Sequence, residues 1–83
     1  MRLLVLFFAS TREITGLTKK FYDFPSQTTM SLADLIAALQ QEFPQLNVER
    51  DQIKFALNKS YCNRDAELKD GDEVALIPPI AGG

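Results

Sequence analysis

The chain has 83 residues, 46% of them hydrophobic and 24% charged, with a net charge of -2. That length holds one domain near the lower limit for a core unaided by disulfides or metals, and the composition excludes a disordered chain. Acidic and basic residues are interspersed, which shows neither a nucleic-acid stripe nor a polybasic membrane patch, and the single cysteine, Cys62, excludes an intramolecular disulfide and points to a reducing compartment.

The first predicted element is the run LLVLFFA, residues 3–9. It is short for a secretory leader and is followed at once by Arg12-Glu13, so it reads as a central strand covered on both faces. The two-residue period puts Leu3, Val5 and Phe7 on one face and Leu4, Leu6 and Phe8 on the other. One helix covers one face of a small sheet, which leaves the second face available to another protein.

STREITGLTKK contains Gly16 and reads as a turn into a second strand from Leu17 to Phe24, closed by Pro25. SLADLIAALQQEFP is the clearest helix. Ser31 is its N-cap, Asp34 lies in its first turn, and Pro44 marks its end. Leu32, Leu35, Ile36, Leu39 and Phe43 make one apolar stripe, which reads as core. IKFALN then alternates as a strand, KSYC adds a short edge segment, Asp70-Gly71-Asp72 is a turn, and Glu73 to Ile77 is the last strand. Residues 1–83 thus make one α+β domain, a mixed sheet packed on one main helix. By the right-handed crossover rule the last strand lies parallel beside the first, and residues 78–83 leave as an extended tail. No apolar run reaches the length of a membrane span.

The sequence has no histidine, which removes Ser-His and Cys-His nucleophile pairs and the commonest metal ligand. Cys62, in SYCNRD, has no base beside it and reads as a small apolar residue near a strand. Glu13, Asp23, Asp34 and Glu42 lack metal-loop spacing and read as solvated charges.

The tail, IPPIAGG, has two readings. One is a frayed end after a strand terminator. The other is chemical: Gly82-Gly83 has no β-carbon, so it threads a narrow channel and lets catalytic groups approach the terminal carbonyl. A carboxylate is a poor electrophile and must first be activated, as an acyl adenylate or an equivalent. Gly16 and Gly71 are the other glycines and make no phosphate-cradling loop, so activation falls to another, ATP-using chain. Pro78-Pro79 stiffens the exit from the sheet.

LFFASTREITG, DGDEVALIPPIAGG and the helix between them together resemble the small subunit of molybdopterin synthase, the MoaD-like sulfur carriers of the ubiquitin-like β-grasp superfamily. The resemblance spans nearly the whole chain and implies a β-grasp fold and a cytoplasmic protein substrate without catalytic residues of its own. It implies that an adenylyltransferase similar to ubiquitin-activating enzymes adenylates Gly83, and that sulfur from a sulfurtransferase converts it to a thiocarboxylate. Gly82, Ala81, Pro79 and Pro78 would thread into the large synthase subunit, where sulfur passes to cyclic pyranopterin monophosphate to build the dithiolene. The implied assembly is a heterotetramer with two large subunits. No cofactor or metal would bind this chain, and neither nucleic acid nor membrane is an implied partner. By position, Phe8, Arg12 and Leu76 match the family's partner-facing residues, although the family often has an aromatic where Leu76 stands. Two rivals stay open on the residues alone: a modifier joined through Gly83 to target lysines by an isopeptide link, and an interaction domain with an incidental Gly-Gly end.

Overall fold

Alternating burial along the first strand sets the layers. The structure, a computed structural model, describes residues 1–79. In β1 (Arg2–Phe7), Leu3, Val5 and Phe7 are buried while Leu4 and Leu6 are only half-buried. The strand pairs antiparallel with β2 (Lys19–Asp23) and parallel with β7 (Glu73–Ile77). β7 is the middle strand of the five-stranded sheet. It pairs antiparallel with β4 (Lys54–Leu57), which carries β5 (Ser60–Cys62) at the far edge. The expected parallel pairing of first and last strands is therefore present, as is the mixed sheet packed on one main helix.

That helix, α2 (Leu32–Glu42), starts where its sequence says. Ser31 Oγ accepts from Asp34 N at 3.2 Å, and Asp34 Oδ2 accepts from Ser31 N at 3.3 Å, a reciprocal capping box. Leu32, Leu35, Ile36 and Leu39 are buried against Leu3, Val5, Phe7, Val74 and Leu76 of the sheet. The stripe continues past the helix end to Phe43, whose ring meets Phe7 edge-on with centroids 6.2 Å apart. Pro44 follows and cannot extend the helix.

Three expectations need correction. Residues 10–15, read as a turn, form a short helix, α1 (Ser10–Thr15), which ends at Gly16 in the left-handed conformation, φ 75°. Four of its six residues, Ser10, Thr11, Ile14 and Thr15, are weak helix formers; Thr11 is fully buried and donates its hydroxyl locally to Phe8 O at 2.6 Å. The strand after it begins at Lys19 rather than Leu17 and ends at Asp23. A second, two-stranded sheet pairs β3 (Thr29–Ser31) with β6 (Glu67–Lys69), antiparallel. Each strand has three residues and only one buried side chain, Met30 or Leu68, too little for a period to show.

The β4–β5 hairpin turns on Asn58 and Lys59, both with positive φ, 49° and 75°. Asn58 also ties that hairpin to the start of β7, accepting from Glu73 N at 2.9 Å and donating to Asp72 Oδ1 at 3.0 Å.

A polar clamp closes the other side. Glu42, at the end of α2, accepts from Lys20 Nζ and, at 2.5 Å, from the Tyr22 hydroxyl, tying the helix to edge strand β2. Burial pulls the Glu42 carboxyl upward, but the bonds from Lys20 and Tyr22 outweigh it and hold its pKa below the ordinary 4.5. A folded-state pKa below the unfolded one gives stability that is complete above the ordinary carboxylate value and lost as pH falls through the folded value. Thermal unfolding between about pH 3 and pH 7 is therefore expected to show a shallower acid loss in Glu42→Gln than in the wild type. Parallel curves would show that the clamp contributes nothing.

Candidate functional site

β7 is both the middle of the sheet and the last element before the tail, so its end fixes where the tail departs. Pro78 remains buried and Pro79 is exposed. The departure from the domain is thus at Pro79; Pro78 still packs against it, and only the second proline of the pair carries the chain outward. Ala81, Gly82 and Gly83, the residues expected to thread and react, lie outside the described residues.

Beside this exit is the sheet face that α2 does not cover. Strand register assigns its members. Leu4 and Leu6 of β1 are opposite Phe21 and Lys19 of β2, and Leu6 is beside Ala75 of β7. Ala56 of β4 is opposite Ala75 on one side and Tyr61 on the other. Phe8 continues the β1 alternation onto the same side, and Phe8 N donates to Leu76 O at 3.3 Å. Among the described residues the exposed large hydrophobic side chains are Phe8, Phe21 and Tyr61, at 44%, 51% and 70% exposure. All three stand on this one face. Between Phe8 and Tyr61 a depression of about 310 Å³ is lined by Leu6, Ala56, Ala75 and Ile77, with Lys59 and Glu73 also on its wall. A contiguous apolar patch of this kind on a small chain marks a docking surface.

The expected partner-facing residues fall differently. Phe8 is on the open face at its exit end. Arg12 is exposed on α1, the short helix that follows Phe8, and makes no ion pair among the described residues. Leu76 is a correction. It is fully buried on the helix side of the sheet, beside Phe7 and opposite Phe55, so its side chain meets the core and not a partner. The residue of β7 that reaches the open face at the exit is its neighbour Ile77, which sequence reasoning missed. The missed signal was parity: Val74 pairs with Val5 and Leu76 with Phe7, which puts Ala75 and Ile77 on the other side.

The bend that aims Phe8 is strained. Ala9 has φ 50° and ψ -126°, the glycine-favouring first corner of a type II′ turn, and Thr11 N donates to Phe8 O across it at 3.1 Å. The same turn starts α1, with Arg12 N donating to Ala9 O at 3.0 Å.

Among the described residues no group of three or more Cys, Asp or Glu could hold a metal. Cys62 lies half-buried with its Sγ 3.8 Å from Phe55 O, and burial pushes the thiol pKa up, which keeps it protonated and a poor nucleophile. A broader hollow of about 690 Å³ at the β4–β5 edge is bordered by Lys54 and Arg64, the latter already paired with Glu49 at 2.7 Å. No helix among the described residues is long and apolar enough to cross a membrane.

Comparison with known proteins gives consistent matches. The sequence profile of the ThiS family matches residues 5–83. The molybdopterin synthase sulfur carrier subunit of Chlamydomonas reinhardtii is 41% identical, the alignment covering 100% of both chains. Among solved structures, SAMP1 from Haloferax volcanii has the same fold, with a TM-score of 0.85 at 24% identity over 100% of both chains. A complex of subunits 1 and 2 of molybdopterin-converting factor from Helicobacter pylori contains a chain 28% identical over 100% of both, with a TM-score of 0.66.

Two measurements test the geometry. Leu76→Ala should cost about 2–5 kcal/mol of unfolding free energy and Ile77→Ala about 1 kcal/mol or less, because only the first opens a core cavity; equal losses would put both on one face. Ala9→Val should destabilise by about 1–3 kcal/mol while Ala9→Gly stays near wild type, since a β-branched residue fits positive φ poorly. Equal stability of the two variants would show that the turn is not held in this conformation.

Proposed function

The chain belongs to the ThiS family, among the molybdopterin synthase sulfur carrier subunits, and from that membership we propose that it delivers sulfur on its own C-terminus. The observation that carries the reading is the course of β7. The middle strand of the sheet brings the chain out at Pro79, beside an open apolar face bearing Phe8 and Ile77, with Ala81-Gly82-Gly83 still to follow. The ubiquitin-like β-grasp fold supplies the platform and the Gly-Gly end the reactive group.

In the proposed cycle the Gly83 carboxylate attacks the α-phosphorus of ATP on an activating enzyme, expelling pyrophosphate and forming an acyl adenylate. The terminal sulfur of a persulfide on a sulfurtransferase then displaces AMP to give an acyl disulfide, and a thiol of the activating or sulfur-donating partner cleaves its S–S bond, forming a disulfide with the donor cysteine and leaving a thiocarboxylate at Gly83. This chain contributes no side chain to any of these steps. Gly16 and Gly71 are single turn glycines at φ 75° and 86°, not a phosphate loop, which supports placing ATP on the partner. The open face then docks on the large subunit, with the pair in a heterotetramer. Glycines without β-carbons pass the tail to cyclic pyranopterin monophosphate, where sulfur is transferred, two deliveries making one dithiolene. The place of this chemistry is the cytoplasm.

Docking matters to rate as well as affinity. Anchoring the domain by Phe8, Ile77 and their neighbours turns the sulfur transfer into an effectively unimolecular step, with the nucleophile held near its target. Phe8 and Ile77 are therefore assigned to the partner interface in place of Leu76, with Arg12 beside them.

Intact mass after incubation with ATP, a sulfur donor and the activating enzyme is expected to rise by the difference between one sulfur and one oxygen. Removal of Gly82-Gly83 should abolish that gain and molybdopterin formation without changing thermal stability. Isopeptide-linked conjugates in place of the mass gain would replace this function with protein modification, and retained synthase activity after the truncation would refute it.

A further inference from the structure

The carboxylates around the open face lie at the end away from the exit, where Arg2 and Lys59 stand with them. Of the nine cationic side chains, five pair with a carboxylate among the described residues. Arg12, Lys19, Lys54 and Lys59 do not. Three of these four are on elements next to the exit end of the sheet, each on a different one. Lys54, at the start of β4, is opposite Ile77. Lys19, at the start of β2, is opposite Leu6, whose strand runs to Phe8. Arg12 projects from α1, the helix that begins next to Phe8. All three are exposed. The nearby acid is Glu13, also on α1. The carboxylates of the face itself are at its other end: Glu73 is beside Leu4, and Asp23, opposite Arg2, pairs with it at 3.7 Å.

A chain of net charge -2 thus carries a cationic cluster at the one end from which its tail departs. Exposed cations gathered without local partners attract charge of the opposite sign, and paired charges around an apolar contact govern association rate and orientation more than bulk affinity.

We propose that Arg12, Lys19 and Lys54 form a collar that guides this end of the domain onto a protein surface bearing carboxylates around its apolar seat. The occupant is the large synthase subunit, and the inference rests on the docking proposed above. The collar acts before the apolar contacts close: it aligns the exit with the mouth of the receiving site, and Phe8 and Ile77 then hold the domain there. A three-residue cluster is too small for firm nucleic-acid or membrane binding, which takes larger groups of cations.

The test is stopped-flow association of the full chain with the large subunit from the same source, at about 30 mM and about 500 mM salt. The variant is Arg12→Gln/Lys19→Gln/Lys54→Gln, with Lys69→Gln, remote from the face, as control. The expected result is an association rate about tenfold lower for the triple variant at low salt, convergence with the wild type at high salt, and no change for the control. Thermal unfolding confirms that the exposed substitutions leave the domain folded. Wild-type binding with the same rate and salt dependence in the triple variant overturns the collar and leaves the docking intact. Failure of the wild type to bind at either salt overturns both. Collar-dependent retention on phosphatidylserine vesicles at physiological salt would replace the acidic protein partner with a membrane.

Discussion

The parallel pairing of β1 with β7 is the constraint on which the rest depends. Adjacent parallel strands need a crossover, and α2 fits within it, which puts the helix on one face and leaves the other bare. The same pairing makes the chain's last strand an interior one, flanked by β1 and β4, so that the tail's base is held on both sides by ladder hydrogen bonds. It also puts the C-terminal end of β7 next to the C-terminal end of β1, where Phe8 and α1 follow. The base of the tail, the open face and the elements that carry the proposed collar are neighbours for one topological reason.

How much of this was legible in the sequence depends on how many residues each signal spans. The α2 boundaries could be read because Ser31, Asp34 and Pro44 act locally, and β1 and β7 because their apolar runs are long. α1, β3 and β6 were missed because each is too short for its own pattern to show and depends on burial against the rest of the fold: Thr11 in α1, and the Met30–Leu68 pairing in β3 and β6. At the exit the failure was of parity. Leu76 and Ile77 are both aliphatic, so composition cannot tell which faces the helix; only the register of β7 against Phe7 and Phe55 decides it. Arg12 was found by position in a motif, while Lys19 and Lys54 share its situation without any local sequence signal, since their nearness exists only after the sheet forms.

The structure also separates what keeps the domain folded from what it offers outward. The core is a closed apolar cluster between α2 and one sheet face, and no buried side-chain polar atom among the described residues lacks a partner. Positive φ at non-glycine residues falls outside that cluster, at Gln52, Asn58, Lys59 and Ala9, and at Ala9 a glycine-favouring turn is made by an alanine. A position that spends stability on aiming Phe8 and starting α1 is understandable if the orientation of that end matters to a partner, as strained backbone tends to gather at functional sites. Cys62, half-buried and protonated, belongs to the packed side of this division.

An open face with Phe8, Phe21 and Tyr61 carries a hazard of its own, because two copies could bury these patches against each other. The polarity of the charges bears on that. In an isologous pair with exit ends together, Arg12, Lys19 and Lys54 of one copy would meet the same cations of the other, and like charges across an interface cost several kcal/mol. An antiparallel pair would set the collar of one copy against Glu73 of the other, but Asp23 there is already held by Arg2 and Lys59 flanks Glu73 on the same face, so little unpaired negative charge is left to receive it. The arrangement that attracts an acidic partner therefore disfavours self-association, and the apolar face can remain uncovered until the intended surface arrives.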